Sequence, residues 1–212
     1  MSSSAPSKRI RKTPEARRAE IVAAASAIAL TEGLECLTVR RVADELAVRP
    51  GLISHYFPVV EDLVAEAFGV AAGGELDELL PTDGGAPPLD RLARFLSLTR
   101  GERYDGMSRL WLNARHLSRY RPALRDRVGH QEKLWRGRLT GLVEQGVAAG
   151  AFRTADPAGA AVQLLVVLDG LGAHANTERG DRPAVVDTLA AATAERVLDL
   201  PAGTLTDSVA VP

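Results

Sequence analysis

A chain of 212 residues, 46% hydrophobic and 25% charged, can bury a substantial core as one large domain or two small ones. Its single cysteine, Cys36, rules out an internal disulfide framework, and neither an apolar signal core nor an uninterrupted membrane-length apolar run is evident, so a cytoplasmic location with no membrane contact is expected. A net charge of −1 would argue against polyanion binding if it were evenly spread, but residues 1–60 hold nine Lys or Arg against six Asp or Glu, +3, leaving −4 for the remainder.

Residues 1–12 are polar and basic and are expected to form a flexible arm. Thr13-Pro14 supplies a helix start, with threonine as N-cap and proline at the first helical position. Ile21, Val22, Ala25, Ile28 and Ala29 recur at the helical period, and Gly33 ends that run. Thr38 caps a second, short helix whose Val39, Val42, Ala43 and Leu46 share a face. Pro50 opens a third that reaches His55 or Tyr56, and a fourth starts near Val60 and is expected to run to Gly73, with Leu63, Val64, Ala67 and Phe68 as its apolar pattern. The run Pro-Thr-Asp-Gly-Gly-Ala-Pro-Pro over 81–88 breaks the helical pattern.

Five more helices are predicted, over roughly 89–100, 104–119, 122–149, 156–174 and 183–199. Met107, Leu110, Trp111 and Ala114 mark a face of the second of these. Leu124, Val128, Gln131, Trp135, Leu139, Leu142 and Gly146 form a seam along the third. No strand-like alternation and no fixed-period repeat occurs, which makes the expected fold class all-α. The predicted organisation is an arm over 1–12, a helix-turn-helix unit over 13–75, a helical body over 76–200 and a flexible tail over 201–212.

The informative stretch is Thr38 to Phe57, two short helices separated by a tight turn. In such a helix-turn-helix the second helix enters a major groove, so its leading end must be small or polar. Arg49, Pro50, Gly51, Leu52 and Ser54 meet that need, while Ile53 and Phe57, one turn apart, point inward. Thr38-Val39, Val42-Ala43, Val48-x-Pro50-Gly51 and His55-Tyr56-Phe57 together resemble the tetracycline-repressor (TetR) family of regulators. Gly51-Leu-Ile-Ser-His-Tyr-Phe57 is especially similar to its choline-responsive betaine-regulon branch.

The resemblance implies a sequence-specific regulator, a ligand-responsive repressor that binds a palindromic double-stranded operator as a homodimer, with no cofactor, metal or enzymatic activity. It implies phosphate contacts from Thr38 and His55, a phosphate or base contact from Tyr56, and base contacts from Pro50, Gly51, Leu52 and Ser54. Lys8, Arg9, Arg11 and Lys12 resemble the basic arms that some members lay along or into the minor groove. Three positions depart from the family pattern: Ala47 replaces a turn glycine, Arg49 a capping serine or threonine, and Val60 a phosphate-binding lysine. Arg49 loses a cap but can gain a phosphate contact.

In the body, Phe95, Met107, Trp111, Arg115, Gln131, Trp135 and His174 are the candidates for a pocket that binds an unidentified small molecule, mixing apolar walls with a few polar groups. His116 projects away from the Met107–Trp111 face and is expected in solvent or in another contact, and Asp169 is expected to be structural. Residues 160–172 are apolar nearly all round, and Val186, Leu189, Ala190, Thr193 and Val197 form a further stripe. Such helices need burial from both sides and are expected to pair with a second copy. Enzyme signatures are absent: no His-Glu-x-x-His, glycine-rich phosphate loop, cysteine cluster or Gly-x-Ser-x-Gly occurs. The alternatives are a ligand-independent regulator and a helical protein-binding scaffold without DNA activity.

Overall fold

The computed structural model describes residues 12–82, 85–99, 101–177 and 184–205, and these are helical with no strand among them. The helices are α1 (Pro14–Glu32), α2 (Val39–Glu45), α3 (Pro50–Tyr56), α4 (Val60–Leu79), α5 (Pro88–Leu98), α6 (Glu102–Ser118), α7 (Pro122–Ala148), α8 (Pro157–Thr177) and α9 (Ala184–Val197), with a 3₁₀ turn (Leu34–Cys36) between α1 and α2.

Proline starts α1, α3, α5, α7 and α8. Its fixed φ suits the first helical position, where the missing N–H has no partner to lose. Thr13 and Thr38 cap α1 and α2 by accepting the N–H groups of Ala16 and Arg41 at 3.2 and 3.0 Å, and Asp156 caps α8 by accepting that of Gly159 at 2.8 Å. Gly33, at φ 100°, ends α1 in a backbone conformation that a side chain would strain. Ala47 adopts φ 51° in the turn between α2 and α3, so this alanine carries strain that glycine would not.

α4 occupies the centre: α1 packs on one side of it and α7 on another, while α7, α6 and α9 surround α8. Every residue of the predicted α7 seam is buried. One continuous core runs from Ile21 through Phe68, Phe95 and Leu139 to Leu205, so the N-terminal helices and the body share their interior. Several polar links also cross between them. Gln131 donates to the Gly69 carbonyl at 3.2 Å, and Arg138 donates to the Leu80 carbonyl at 2.7 Å and to Asp77 at 3.1 Å, while within the N-terminal helices Arg18 forms a fork with Glu66 and lies 4.6 Å from the Phe57 ring centre. Gly69 admits this approach, since a β-carbon there would lie 2.8 Å from the Arg127 stem.

Two expectations need correction. α4 runs to Leu79 rather than ending at Gly73, because Leu76 and Leu79 continue its buried face. The chain does not fray at Pro201: Leu205 is fully buried and its N–H donates to Glu195 at 2.7 Å. By length and composition α8 passes for a membrane span, with 28% of that stretch buried, but Gln163 and Asp169 interrupt its apolar run, in keeping with the sequence reading. Its exposed face carries Val162 and Val166, and α9 exposes Val185 and Leu189.

Candidate nucleic-acid interface and cavity

α3 stands on a buried root. Ile53 and Phe57 are sealed inside, and Ile53 alone stabilises the fold by about 2–3 kcal/mol relative to an exposed side chain. The opposite side of the helix is open: Arg49, Pro50, Gly51, Ser54 and His55 are exposed, and Leu52 and Tyr56 are half-buried. A β-carbon on Gly51 would meet no atom within 4 Å, so nothing inside the chain demands a glycine there. Tyr56 packs its ring against the core and meets the His55 ring edge-on at 5.3 Å.

Arg49 precedes α3 without making a side-chain cap, as its replacement of a hydroxyl residue implies. Thr38 is exposed although its hydroxyl is engaged as a cap. Cations around this face divide into committed and available. Arg41 is held by Glu32 and Glu45 at 2.6 and 2.8 Å, and Lys12 by Glu20 at 2.7 Å. These bonds draw the Glu32 carboxyl, through Arg41, and the Glu20 carboxyl, through Lys12, below their ordinary pKa values. Arg40 and Arg49 are exposed and form no ion pair among the described residues. Arg40 was missed as a candidate because its neighbour Arg41 looks identical in sequence; only the Glu32 and Glu45 contacts distinguish them. Lys8, Arg9 and Arg11 lie outside the described residues.

The body encloses a cavity of about 250 Å³ among α4, α5, α6, α7 and α8. Of the predicted pocket residues, Phe95, Trp111, Arg115 and Trp135 line it. Met107, Gln131 and His174 do not: Met107 is buried in the shared core, Gln131 is buried with its amide turned to the Gly69 carbonyl on α4, and His174 is exposed near the end of α8. His116 is exposed, as expected. Asp169, expected to be structural, also lines the cavity.

The lining adds Tyr104 and Ser108 to Trp111 and Arg115 along α6, and Glu132 to Trp135 along α7, with Glu75 entering from α4. A spacing signal was available, since 104, 108, 111 and 115 follow the three-to-four residue step of one helical stripe. Three carboxylates and two arginines, Arg115 and Arg136, leave the lining one charge negative. The Trp111 indole donates to Glu75 at 2.9 Å and its ring meets Phe68 edge-on at 5.0 Å. Arg115 binds Glu132 at 3.2 Å and Asp169 at 2.9 Å. Burial alone would lower its pKa, but the hydrogen bond and charge of Asp169, with those of Glu132, hold it above the ordinary value. Burial, reinforced by the charges of Glu75 and Asp169, pushes the Tyr104 hydroxyl well up, so it is a neutral donor at physiological pH. The buried Trp135 indole N–H has no hydrogen-bond partner among the described residues.

Residues 88–199 match the family described as BetI-type transcriptional repressor, C-terminal, and residues 21–67 match bacterial regulatory proteins of the tetR family. The chain belongs to the TetR family. No curated protein sequence matches it. Among solved structures, it resembles a protein described as a TetR-family transcriptional regulator from Rhodococcus sp. (24% identity, TM-score 0.72, covering 86% of this chain and 98% of that one). A TetR transcription regulator from Haloarcula marismortui gives 23% identity, a TM-score of 0.71 and coverage of 86% and 96%. A protein described as a transcriptional regulator from Saccharomonospora viridis, in complex with choline, gives 23%, 0.69 and coverage of 84% and 93%. At these identities the likeness shows the fold. With the family matches on both halves, this TetR protein is a DNA-binding transcriptional regulator with a helix-turn-helix at its N-terminal end.

Proposed function

We propose that this TetR regulator is a ligand-responsive repressor that acts as a homodimer on a palindromic operator. The observation that carries the DNA side is the open leading end of α3, where Gly51 has no internal neighbour and Ser54 and His55 face outward. In this reading Pro50, Gly51, Leu52 and Ser54 meet base edges, and Thr38, His55 and Tyr56 meet phosphates or, for Tyr56, a base. Arg49 and Arg40 add phosphate contacts, and the arm of Lys8, Arg9, Arg11 and Lys12 follows the minor groove, with Lys12 exchanging its Glu20 partner for the DNA. Val60 supplies no cation where the family pattern has lysine, and Arg49 makes up that charge from the other end of the motif.

The homodimer rests on the exposed apolar side chains of α8 and α9. Val166 is 63% exposed and Val185 66%, on helices without a continuous polar face. Pairing with a second copy would cover both stripes and place two α3 helices on one face of the duplex. TetR regulators are in general soluble, non-enzymatic proteins, and a cytoplasmic site of action close to the nucleoid follows from DNA binding.

The effector site is the body cavity. Aromatic walls with a surplus of carboxylate suit a small organic cation, and the partnerless Trp135 N–H suits an acceptor atom on the same molecule. The choline held by the Saccharomonospora protein has both properties, which makes choline the first compound to try. Bound ligand would shift α4, which contributes Glu75 to the cavity and carries the reading head, and so change the spacing of the two recognition helices.

Operator selection from genomic fragments, followed by anisotropy titration with and without candidate cations, tests this reading. Expected are nanomolar, salt-dependent binding to an inverted repeat and release by at least one cation. Affinity that ignores every cation would leave a ligand-independent regulator, and the absence of any duplex binding would leave a scaffold.

A further inference from the structure

The side chain of Arg115 lies where the cavity's own chemistry would hold a cation. Its guanidinium carbon is 5.1 Å from the centre of the Trp111 ring, its Nε donates to Glu132 on α7 at 3.2 Å, and a terminal nitrogen donates to Asp169 on α8 at 2.9 Å. An aromatic face with two carboxylates is the set of partners an organic ammonium ion seeks. We propose that Arg115 is a tethered occupant of the effector's cation position, displaced when the effector binds; this rests on the organic-cation reading given above.

Two physical facts favour displacement over coexistence. With Arg115 seated, Glu132 and Asp169 already have a cation between them, so a second one against Trp111 would meet like charge within a few ångströms and gain little. The Arg115 side chain is also one-third exposed, so its long stem can carry the head group into water without uncovering the core. Loss of a proton offers no alternative route, because its carboxylate partners hold the guanidinium in the charged form.

Displacement also has a direct line to the DNA-binding end. Two residues before Arg115 on α6, Asn113 donates to Glu35 at 2.6 Å and accepts the Leu34 N–H at 2.9 Å, both on the 3₁₀ turn that leads into Thr38 and α2. Freeing Arg115 from α7 and α8 releases the same helix that Asn113 fastens to that turn. Arg115 is therefore a positioning residue as well as a competitor.

The test compares wild type, Arg115→Gln and Arg115→Lys by titration calorimetry with choline and with its uncharged carbon isostere, 3,3-dimethylbutan-1-ol. If Arg115 occupies the position about nine-tenths of the time, removing it tightens choline binding about tenfold, because apparent affinity scales with the open fraction. The isostere fills the same volume and should also gain, by at least severalfold, while Arg115→Lys should stay near wild type for both compounds. A gain for choline with no change for the isostere would mean that Arg115 acts through its charge without occupying the position, and would overturn the proposal. Wild type that binds choline, with Arg115→Gln equal or weaker, would overturn it while leaving the organic-cation reading intact. Choline binding to none of the three proteins would sink both.

Discussion

Gly51 sits in the first turn of α3, where glycine costs a helix about 0.5–1 kcal/mol relative to alanine and no internal contact repays it. Gly51→Leu should therefore raise the thermal midpoint by about 1–4 °C and leave the oligomeric state unchanged while reducing operator affinity at least a hundredfold; operator binding at wild-type strength would remove α3 from the interface. Arg49 separates stability from binding in the opposite sense. Arg49→Ser restores a helix cap and should raise unfolding free energy by about 0.5–2 kcal/mol. The same change should flatten the salt dependence of DNA binding by about one unit if the arginine neutralises one phosphate. Ala47→Gly removes the cost of a left-handed alanine, about 1–2 kcal/mol, less the chain entropy that glycine adds, for a net gain of about 0.5–1 kcal/mol in denaturant titration. At this scale the caps Thr13 and Thr38 and the missing cap at Arg49 were legible, because capping is a short-range exchange between a hydroxyl and an N–H three residues on. The pairing of Arg41 rather than Arg40 was not, because Glu32 reaches it from the preceding helix.

The helices themselves were almost all legible from punctuation: five start on proline, and the apolar steps of α1, α4 and α7 fall on buried faces. The end of α4 was not. Gly73-Gly74 looks like a stop, yet burial of Leu76 and Leu79 against the body outweighs the local cost of two glycines. Gly146 shows a similar limit. It was visible as the last member of the α7 seam, but its reason lies beyond the helix, where Phe152 folds back over it and is fully buried. A β-carbon at 146 would collide with that ring, so Gly146→Ala should destabilise the protein by about 1–3 kcal/mol in urea unfolding. A neutral result would mean that Phe152 has room to move. The cavity was half legible, since Trp111 and Trp135 announce themselves. The carboxylates facing them sit on different helices whose relative rotation no periodicity encodes.

For the molecule as a whole, the exposed Val185 and Leu189 of α9 make association testable apart from the cavity, whose lining includes Val162 and Val166 of α8. Val185→Glu with Leu189→Glu places charge on the α9 stripe without touching the cavity lining, and should convert dimer to monomer in analytical ultracentrifugation. Operator affinity should fall by two orders of magnitude or more, since each half-site is then held alone, while choline binding persists. A double variant that remains dimeric would move the interface elsewhere. The core shared between the first four helices and the body carries a further consequence for how such proteins diversify. α4 presents Leu63 and Phe68 within the same continuous interior as Leu139 and Leu142, so a recombination junction placed inside it would pair surfaces that had never been fitted to one another. Grafting a new promoter address onto an old sensor, or the reverse, then demands compensating changes along that helix, and the two specificities are inherited as a unit.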